Sequence, residues 1–477
     1  KSGVFVLKPG ETLEFYATFS GRKMADASSG LNSTGLSHIN ILSEHAAREA
    51  LISQWWGNLV LETPDPVLNR MFAFAKLRGA ESIYRTKGGL MHGPGGEAYY
   101  AAVWANDQAE YINPFFPFLG YEIGNESALN SFRHFARYMN PEYKPIPSSI
   151  ISEGVSFWHG AKDRGDGAMI AYGAARYALA RGDKAEAREL WPLIEWCLEY
   201  CNRKLTPAGV VASNSDELEN RFPAGDANLC TSTLYYDALR SAVMLGRELG
   251  ISAKQLNTYR DQANALEKAI EKHFGYEIEG FHSYRYYEGN DILRSWICMP
   301  LVMGIYTRTQ GTIDALFSPR LWTDDGLLTQ AGTETFWDRS TLYALRGTIA
   351  AGEVEKGMNF LKKYSHRRLL GDHVPYAIEA WPEGDQRHLS AESGLYCRIY
   401  TEGLFGIRPT GLRSFEMTPR LPQEWEYMNL NRVRAFNSEF DIRVRRAGKK
   451  LHVEILKGGK PVLKKSVTEG ATIKVNL

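Results

Sequence analysis

Apolar residues recur along most of this chain at the spacing of an α-helix, and toward both ends the pattern changes to alternation. Residues 4–20 (VFVLKPGETLEFYATFS) place Leu13, Phe15, Ala17 and Phe19 on one face with polar neighbours between them. That period of two predicts a strand, broken by a turn at Pro9-Gly10. A Gly-, Ser- and Asn-rich connector leads to a helical linker over 46–56. So little sheet does not close a core alone, so this part is expected to lean on something else.

From Asp65 the period is helical. Asp65-Pro66 joins an N-cap to a proline at the first helical position and opens VLNRMFAFAKLRGAES. Further helices are predicted over 105–118, 125–139, 166–181, 184–203, 226–249, 252–273, 291–303, 310–317, 336–350, 352–363 and 390–406. Ser252 and Gln255 form a capping box, and Asn140-Pro141 ends the helix predicted over 125–139. The connections then alternate in length. Long loops at 87–104, 140–165, 204–225, 274–290, 318–335 and 364–389 separate short ones such as Gly182-Asp183 and Gly250-Ile251. Six helical hairpins with every long loop on one side describe a mainly α fold, an (α/α)6 toroid whose site lies at the mouth. From Gly411 the alternation returns: EFDIRVRR and KLHVEILK flank Ala447-Gly448 as a hairpin. The expected organisation is an N-terminal β segment with a helical linker (1–60), the barrel (61–410) and a C-terminal β domain (411–477), with small sandwich-like sheets flanking both ends.

Composition narrows the function. The 477 residues carry 56 Lys plus Arg against 55 Asp plus Glu, so no basic face is demanded and nucleic acid is not an expected partner. No apolar run reaches membrane length, and no signal peptide opens the chain, although Lys1 leads almost directly into the strand pattern and leaves the compartment open. Five scattered Cys outline neither a disulfide framework nor a zinc site, and no metal or cofactor is expected. The 25 Tyr, 21 Phe and 11 Trp suit a carbohydrate site, since sugar C–H faces stack on aromatic rings, and they suit a large core equally.

The long loops hold the candidate chemistry. The stretch 213–240, SNSDELENRFPAGDANLCTSTLYYDALR, joins a loop containing Asp216, Glu217, Glu219 and Arg221 to a helix, with Gly225 as the break, Asp226 as the expected N-cap and Leu229, Leu234 and Leu239 on an apolar face. Other loops end in Trp104, Asp107 and Glu110; in Trp158, His159, Asp163, Arg164 and Asp166; in Asp324, Asp325 and Glu334 before Trp337; and in Glu379, Trp381, Glu383, Asp385 and Glu392. Each acidic loop taken singly reads equally well as a solvated turn, and Asp166 or Asp226 as a helix cap. Acids on the third and sixth loops would face each other across a six-hairpin ring. Inverting glycoside hydrolysis needs such a pair, one carboxyl to protonate the leaving oxygen and one to activate water.

The order of WANDQAEY (104–111), DRGDGAMIAYGAARYALARGD (163–183), SDELENRF with LYYDALRSA, and ESGLYCRIYTEGLFGIRP (392–409) running into MTPRLPQEW resembles the six-hairpin glycosidases over about 60–410. Members of this superfamily include glucoamylases, trehalases, processing α-glucosidases, debranching-enzyme glucosidase domains and α-L-rhamnosidases. The resemblance implies a general acid before the sixth helix and a general base before the twelfth. Trehalase-like spacing to Arg221-Phe222 selects Glu217 as the acid, while a debranching-like alignment favours Asp216. Glu379, two residues before Trp381, fits the base, with Glu383 in reserve. Asp107, Asp163 and Asp166 match positions that grip sugar hydroxyls in relatives, and Trp104, Trp337 and Trp381, with Arg221, complete the expected substrate contacts. The tryptophan-rich acidic motifs that usually surround the acid are absent, which leaves the sugar open.

The expectation is an inverting exo-acting glycoside hydrolase acting on an oligosaccharide or glycoconjugate. Glu217 is expected to be protonated through burial beside Phe222, tryptophans and other acids, and Glu379 ionised. Arg387, His388 and Ser390 on the sixth loop keep an inverting glycoside phosphorylase as the alternative. His92, His159, His366, His373 and His388 in the long loops keep a sugar epimerase or a non-catalytic glycan-binding protein of the same fold.

Overall fold

The computed structural model of the chain describes residues 3–15, 41–94, 102–151, 157–158, 160, 162–370, 377, 380–381 and 390–477. They divide into two compact units, Lys1–Gln54 and Trp55–Leu477. In the first, residues 3–15 make the turn at Pro9-Gly10, with the Glu11 N–H donating to the Lys8 carbonyl, but form no strand. Val4, Val6 and Phe15 are exposed, and no described segment offers their backbone a ladder; alternation without a pairing partner leaves extended chain. The expectation of a strand over 4–20 is corrected to that extent, and residues 16–20 lie outside the described residues. Helix α1 (Ile41–Gly57) covers the predicted linker.

The second unit is mainly helical. Its first half holds α2 (Pro66–Glu81), the π-wound α3 (Ala105–Ile112), α4 (Glu122–Ala136), α5 (Asp166–Arg181), α6 (Lys184–Arg203) and α7 (Leu229–Leu249). The second half holds α8 (Ala253–Phe274), α9 (Met299–Met303, led in by a 3-10 turn), α10 (Thr309–Leu316), α11 (Asp338–Ala351), α12 (Val354–Leu370) and α13 (Ser390–Arg398), which continues as a π-wound turn to Leu404. Local chemistry sets the starts. Asp65 accepts the N–H groups of Val67 and Leu68, and Ser252 that of Gln255. Some starts fall later than the sequence pattern places them, that of α7 among them. Residues 227 and 228 are drawn into bridges with Ala212 and Tyr287, so α7 begins after Asn228, whose side chain accepts the Thr231 N–H, and Asp226 is exposed and caps nothing.

Two kinds of helix alternate along the chain. In α5, α11 and α13 burial runs unbroken over Asp166–Ala180, Asp338–Ile349 and Ser390–Arg398. In α8 it is confined to a stripe of Leu256, Ala263, Leu266, Ile270 and Phe274. A helix buried all round belongs to an inner layer, and a striped one covers it from outside. The contacts follow this division: α3 packs on α5, α5 on α7, α7 on α9, α9 on α11, α11 on α13, and α13 back on α3.

Close approach within the inner layer depends on Gly173. A Cβ there would lie 1.6 Å from the Ala109 carbonyl oxygen of α3, which is backbone and has no rotamer to give. Gly173→Ala is therefore expected to force α3 and α5 apart and to destabilise by about 1–3 kcal/mol, read from denaturant midpoints. An unchanged midpoint would contradict this packing.

Beyond α13 the chain turns to sheet. Tyr427–Val433, Phe440–Ala447, Lys450–Lys457 and Lys460–Thr468 form an antiparallel meander, which Val60–Glu62 joins at its edge. Arg408–Gly411, Ser414–Met417 and Ile473–Asn476 form a second sheet, and Phe415 stacks on Phe436 and Phe440 between the two. The sheets are tied to the helices by backbone: the Phe436 and Asn437 N–H groups donate to the Ala180 and Arg181 carbonyls at the end of α5. No helix among the described residues is long and apolar enough to cross a membrane.

Candidate active site

The N-terminal ends of the inner helices, with the loops that feed them, bring a set of buried charges together. Asp107 and Glu110 come from α3, Arg164 and Asp166 from the start of α5, Asp216 and Glu217 from the loop before α7, Arg339 from α11 and Glu392 from α13; all are buried. Helix N-termini carry partial positive charge, which favours carboxylates there.

The loop before α7 is held rigidly. The Asn214 and Ser215 N–H groups both donate to the Asp163 carbonyl, and Asn228 Nδ2 donates to the Ser213 hydroxyl and the Ser215 carbonyl. Two adjacent acids then meet opposite fates. Asp216 accepts the Tyr286 hydroxyl at 2.9 Å and the Leu218 N–H at 2.9 Å, with Arg294 at 3.8 Å, so its carboxylate is an internal fastening. Glu217, 1 % exposed, has no hydrogen-bond partner for either carboxylate oxygen among the described residues. Its nearest cation is Arg339, at 3.7 Å.

Electrostatics follow from this placement. Desolvation pushes the Glu217 carboxyl well above its usual value, and the charges of Glu110, Asp107 and Glu392 push the same way against the opposing Arg339. Phe222 is half-buried under Arg294, and the neighbouring acids that raise Glu217 beside its burial are Glu110, Asp107 and Glu392. Burial also raises Glu110 to about 7, opposed by its hydrogen bond from Tyr343 and by three arginines. Arg339 serves the whole group. It donates to Glu392 through Nε at 3.0 Å and Nη2 at 2.6 Å, and lies 3.7 Å from Asp107. Such a site holds a neutral carboxylic acid next to fixed charge, the state from which a proton is donated.

Other expected contacts fall differently. Asp163 accepts the Gly165 N–H at 2.9 Å and the Tyr200 hydroxyl, so both its oxygens are engaged within the protein. Asp166 accepts the Ser148 hydroxyl, the Arg164 N–H and Arg164 Nη2. Both were expected to grip a sugar; here the Asp166 carboxylate braces Arg164 and the Asp163 carbonyl braces the acid loop, because a D-R-G-D turn can satisfy its acids internally. Arg164 reaches onward to Glu219 at 3.1 Å and lies over the half-buried Trp104 ring at 5.4 Å. Trp337, 1 % exposed, lies under the guanidiniums of Arg221 at 5.2 Å and Arg339 at 4.7 Å. Its strand pairs with Ala380–Trp381, setting Trp337 opposite Ala380. That pairing brings the backbone just after position 379 to the start of α11. Glu379, Glu383, Arg387, His388 and the side chain of Trp381 lie outside the described residues. Ser390 is buried on His92 Nε2 at 2.7 Å, and burial holds that imidazole down at about 3.

Sequence reasoning missed Arg339. Arg339 and Arg346 stand seven apart in a helix whose other charged residue is Asp338 at its start, and a charge repeated on one face of a buried helix was the available signal.

Removing the Glu217 charge is expected to stabilise the fold. Between the unfolded value near 4.5 and its raised folded value, the folded chain holds a proton that the unfolded chain has lost, so this contribution falls as pH rises. Glu217→Gln should therefore gain about 1–2 kcal/mol near neutral pH and less in mild acid, measured by thermal unfolding. Parallel pH profiles for the two proteins would contradict a raised Glu217.

No family model matches the chain, and no curated protein matches it. Solved structures do. A protein described as a sialidase aligns with a TM-score of 0.67 at 14 % identity, over 89 % of this chain and 42 % of its own. A rhamnosidase of the GH78 family from Bacillus sp. GL1 aligns at 0.61 and 12 % identity, over 83 % and 41 %. A putative kojibiose phosphorylase from human microbiome aligns at 0.56 and 11 % identity, over 93 % and 66 %. The chain spans about two fifths of the length of the first two. Identities this low speak for the fold alone, and on that evidence the chain has a six-hairpin glycosidase-like fold.

Proposed function

We propose that the chain is an inverting, exo-acting glycoside hydrolase on an (α/α)6 barrel, with Glu217 as general acid and Glu379 as general base. The barrel reading is supported by the closed succession of inner-helix contacts from α3 through α13 and back. The catalytic reading rests on one observation above the others: a fully buried carboxyl, without a hydrogen-bond partner among the described residues, at the convergence of the inner-helix N-termini. A structural carboxylate is satisfied as Asp216 is; an unsatisfied one is kept for something that arrives. In this scheme the neutral Glu217 protonates the departing glycosidic oxygen. A water held by the Glu379 carboxylate attacks the opposite face of the sugar. Asp107 and Trp104 are the groups assigned to meet the sugar, and the second-best acid, Asp216, is disfavoured by its filled hydrogen bonds.

The phosphorylase reading is kept by one solved structure bearing that description and by Arg387 and His388 on the loop before α13. A panel of aryl α- and β-glycosides, including rhamnosides, glucosides and galactosides, separates these readings in phosphate-free buffer. The hydrolase releases aglycone there; a phosphorylase stalls until phosphate is added; an epimerase or binding protein releases none. Glu379→Gln should slow release about equally for poor and good leaving groups, because water must be activated whatever leaves. A strong dependence of that loss on leaving-group acidity would reject Glu379 as the base.

A further inference from the structure

At the other end of the inner helices lies a second buried charge system. A cavity of about 340 Å³ is bounded by the C-terminal ends of α9, α11 and α13, by the strand that begins at Arg408 and by the connections at 418–420 and 470–472. Four arginines line it, Arg176, Arg346, Arg408 and Arg420, against a single carboxylate, Glu402. Arg346 forms the floor. It is 3 % exposed, pairs with Glu402 at 3.3 Å, and has no hydrogen-bond acceptor for either terminal nitrogen among the described residues. The rim is open, with Tyr306 and Thr472 exposed.

The surroundings carry an excess of positive charge. Asp237 pairs with both Arg176 and Arg408, at 2.8 and 2.9 Å. Glu402 is shared by Arg398, Arg346 and Arg176 and is held down at about 2, overcoming its desolvation. Arg240 adds a further cation where it reaches the Met303 carbonyl. Six guanidiniums thus stand against Asp237, Glu402 and, through Arg346 and Arg398, Glu110. Three helix C-termini contribute about half a negative charge each, which reduces the excess without cancelling it. Removing Arg346 from water without acceptors is costly, and a guanidinium fork is shaped for a tetrahedral oxyanion.

We propose that this cavity is a binding site for a phosphate dianion, either inorganic phosphate or the phosphate of a small monoester, held by Arg346 and Arg420. The cavity exceeds the roughly 30 Å³ share of one water by about tenfold, so an ester with a short carbon chain fits as well as the ion. Arg346 and Arg339 are seven residues apart on α11, a rise of about 10 Å, so the cavity lies away from Arg339 and Glu217, although the Arg346 charge also acts on Glu110.

The test is calorimetric titration of the full chain, near neutral pH and at constant ionic strength set with sodium chloride, with inorganic phosphate and with glycerol phosphate. Saturable one-to-one binding and a rise in melting temperature are expected. Tighter binding of glycerol phosphate supports a phosphorylated metabolite as the occupant, and tighter binding of the ion supports phosphate itself. Arg346→Met should weaken binding about tenfold or more, and so should Arg420→Met, whose half-buried position keeps the test available if the first variant does not fold. Glu217→Gln should bind as the parent does. Absence of saturable binding, binding unchanged in the arginine variants, or binding lost in Glu217→Gln would each overturn the proposal.

Discussion

Glu217→Gln is expected to lower kcat on natural glycosides by about 10²–10⁴-fold, and by far less on aryl glycosides whose leaving group departs without a proton. The amide keeps the shape and removes only the transferable proton. Because both Glu217 oxygens lack hydrogen-bond partners among the described residues, the substitution breaks no internal fastening, and folding is unaffected or improved. Rate and stability should therefore move in opposite directions. Asp216→Asn makes the contrasting case, since it disturbs the Tyr286 and Leu218 hydrogen bonds and should cost stability together with activity. Steady-state rates on a leaving-group series, paired with melting curves, give both comparisons. Equal losses for good and poor leaving groups in Glu217→Gln would remove it as the acid.

The largest effect on stability is expected from Arg339→Met. Methionine fills a similar volume but leaves Glu392 without its two donated bonds, and Asp107 and Glu217 without their nearest shared cation. Breaking a buried ion pair from one side costs about 3–5 kcal/mol. Protonation offsets part of this, so the penalty should shrink toward mild acid, where the orphaned carboxyls take up protons. Guanidinium denaturation at several pH values reads the trend. A penalty that grows on acidification would contradict the placement of Arg339 at the centre of the acids. In the same variant any residual activity should persist to higher pH, because losing the cation raises Glu217 further.

The helical pattern was legible because buried helices such as α5 are dense in Ala and small residues and end at glycines like Gly182, which has a φ of 72°. The starts were less so. Asp226 and residues 291–294 precede helices in sequence, but cross-chain bridges at Ala227, Asn228 and Arg294 keep the backbone extended there, and such partners are remote along the chain. The N-terminal alternation misled for the matching reason, since a strand needs a neighbour that periodicity does not specify. Val60–Glu62 went unnoticed because a three-residue edge carries almost no pattern and is fixed by Tyr427–Val433.

At the site, the acid loop could be found from the density of Asp216, Glu217 and Glu219, but not which of them is satisfied. That depends on Tyr286, 70 residues away along the chain. Asp166 shows the same difficulty: an acid beside an arginine reads identically whether it faces substrate or fastens the arginine. Arg339 and Arg346 divide one buried helix between a carboxylate cluster and a basic cavity, a division that appears only when the neighbouring helices are in place.

The stereochemistry of the first sugar released tests the central claim most directly. With a reactive aryl glycoside in phosphate-free buffer, NMR spectra taken before mutarotation report the anomer as it leaves the enzyme. An acid on the loop before α7 and a held water activated from the loop before α13 deliver attack on the face opposite the leaving group. The account predicts the inverted anomer. Retention would contradict it, since that outcome requires a carboxylate nucleophile about 5 Å from the acid in place of the water.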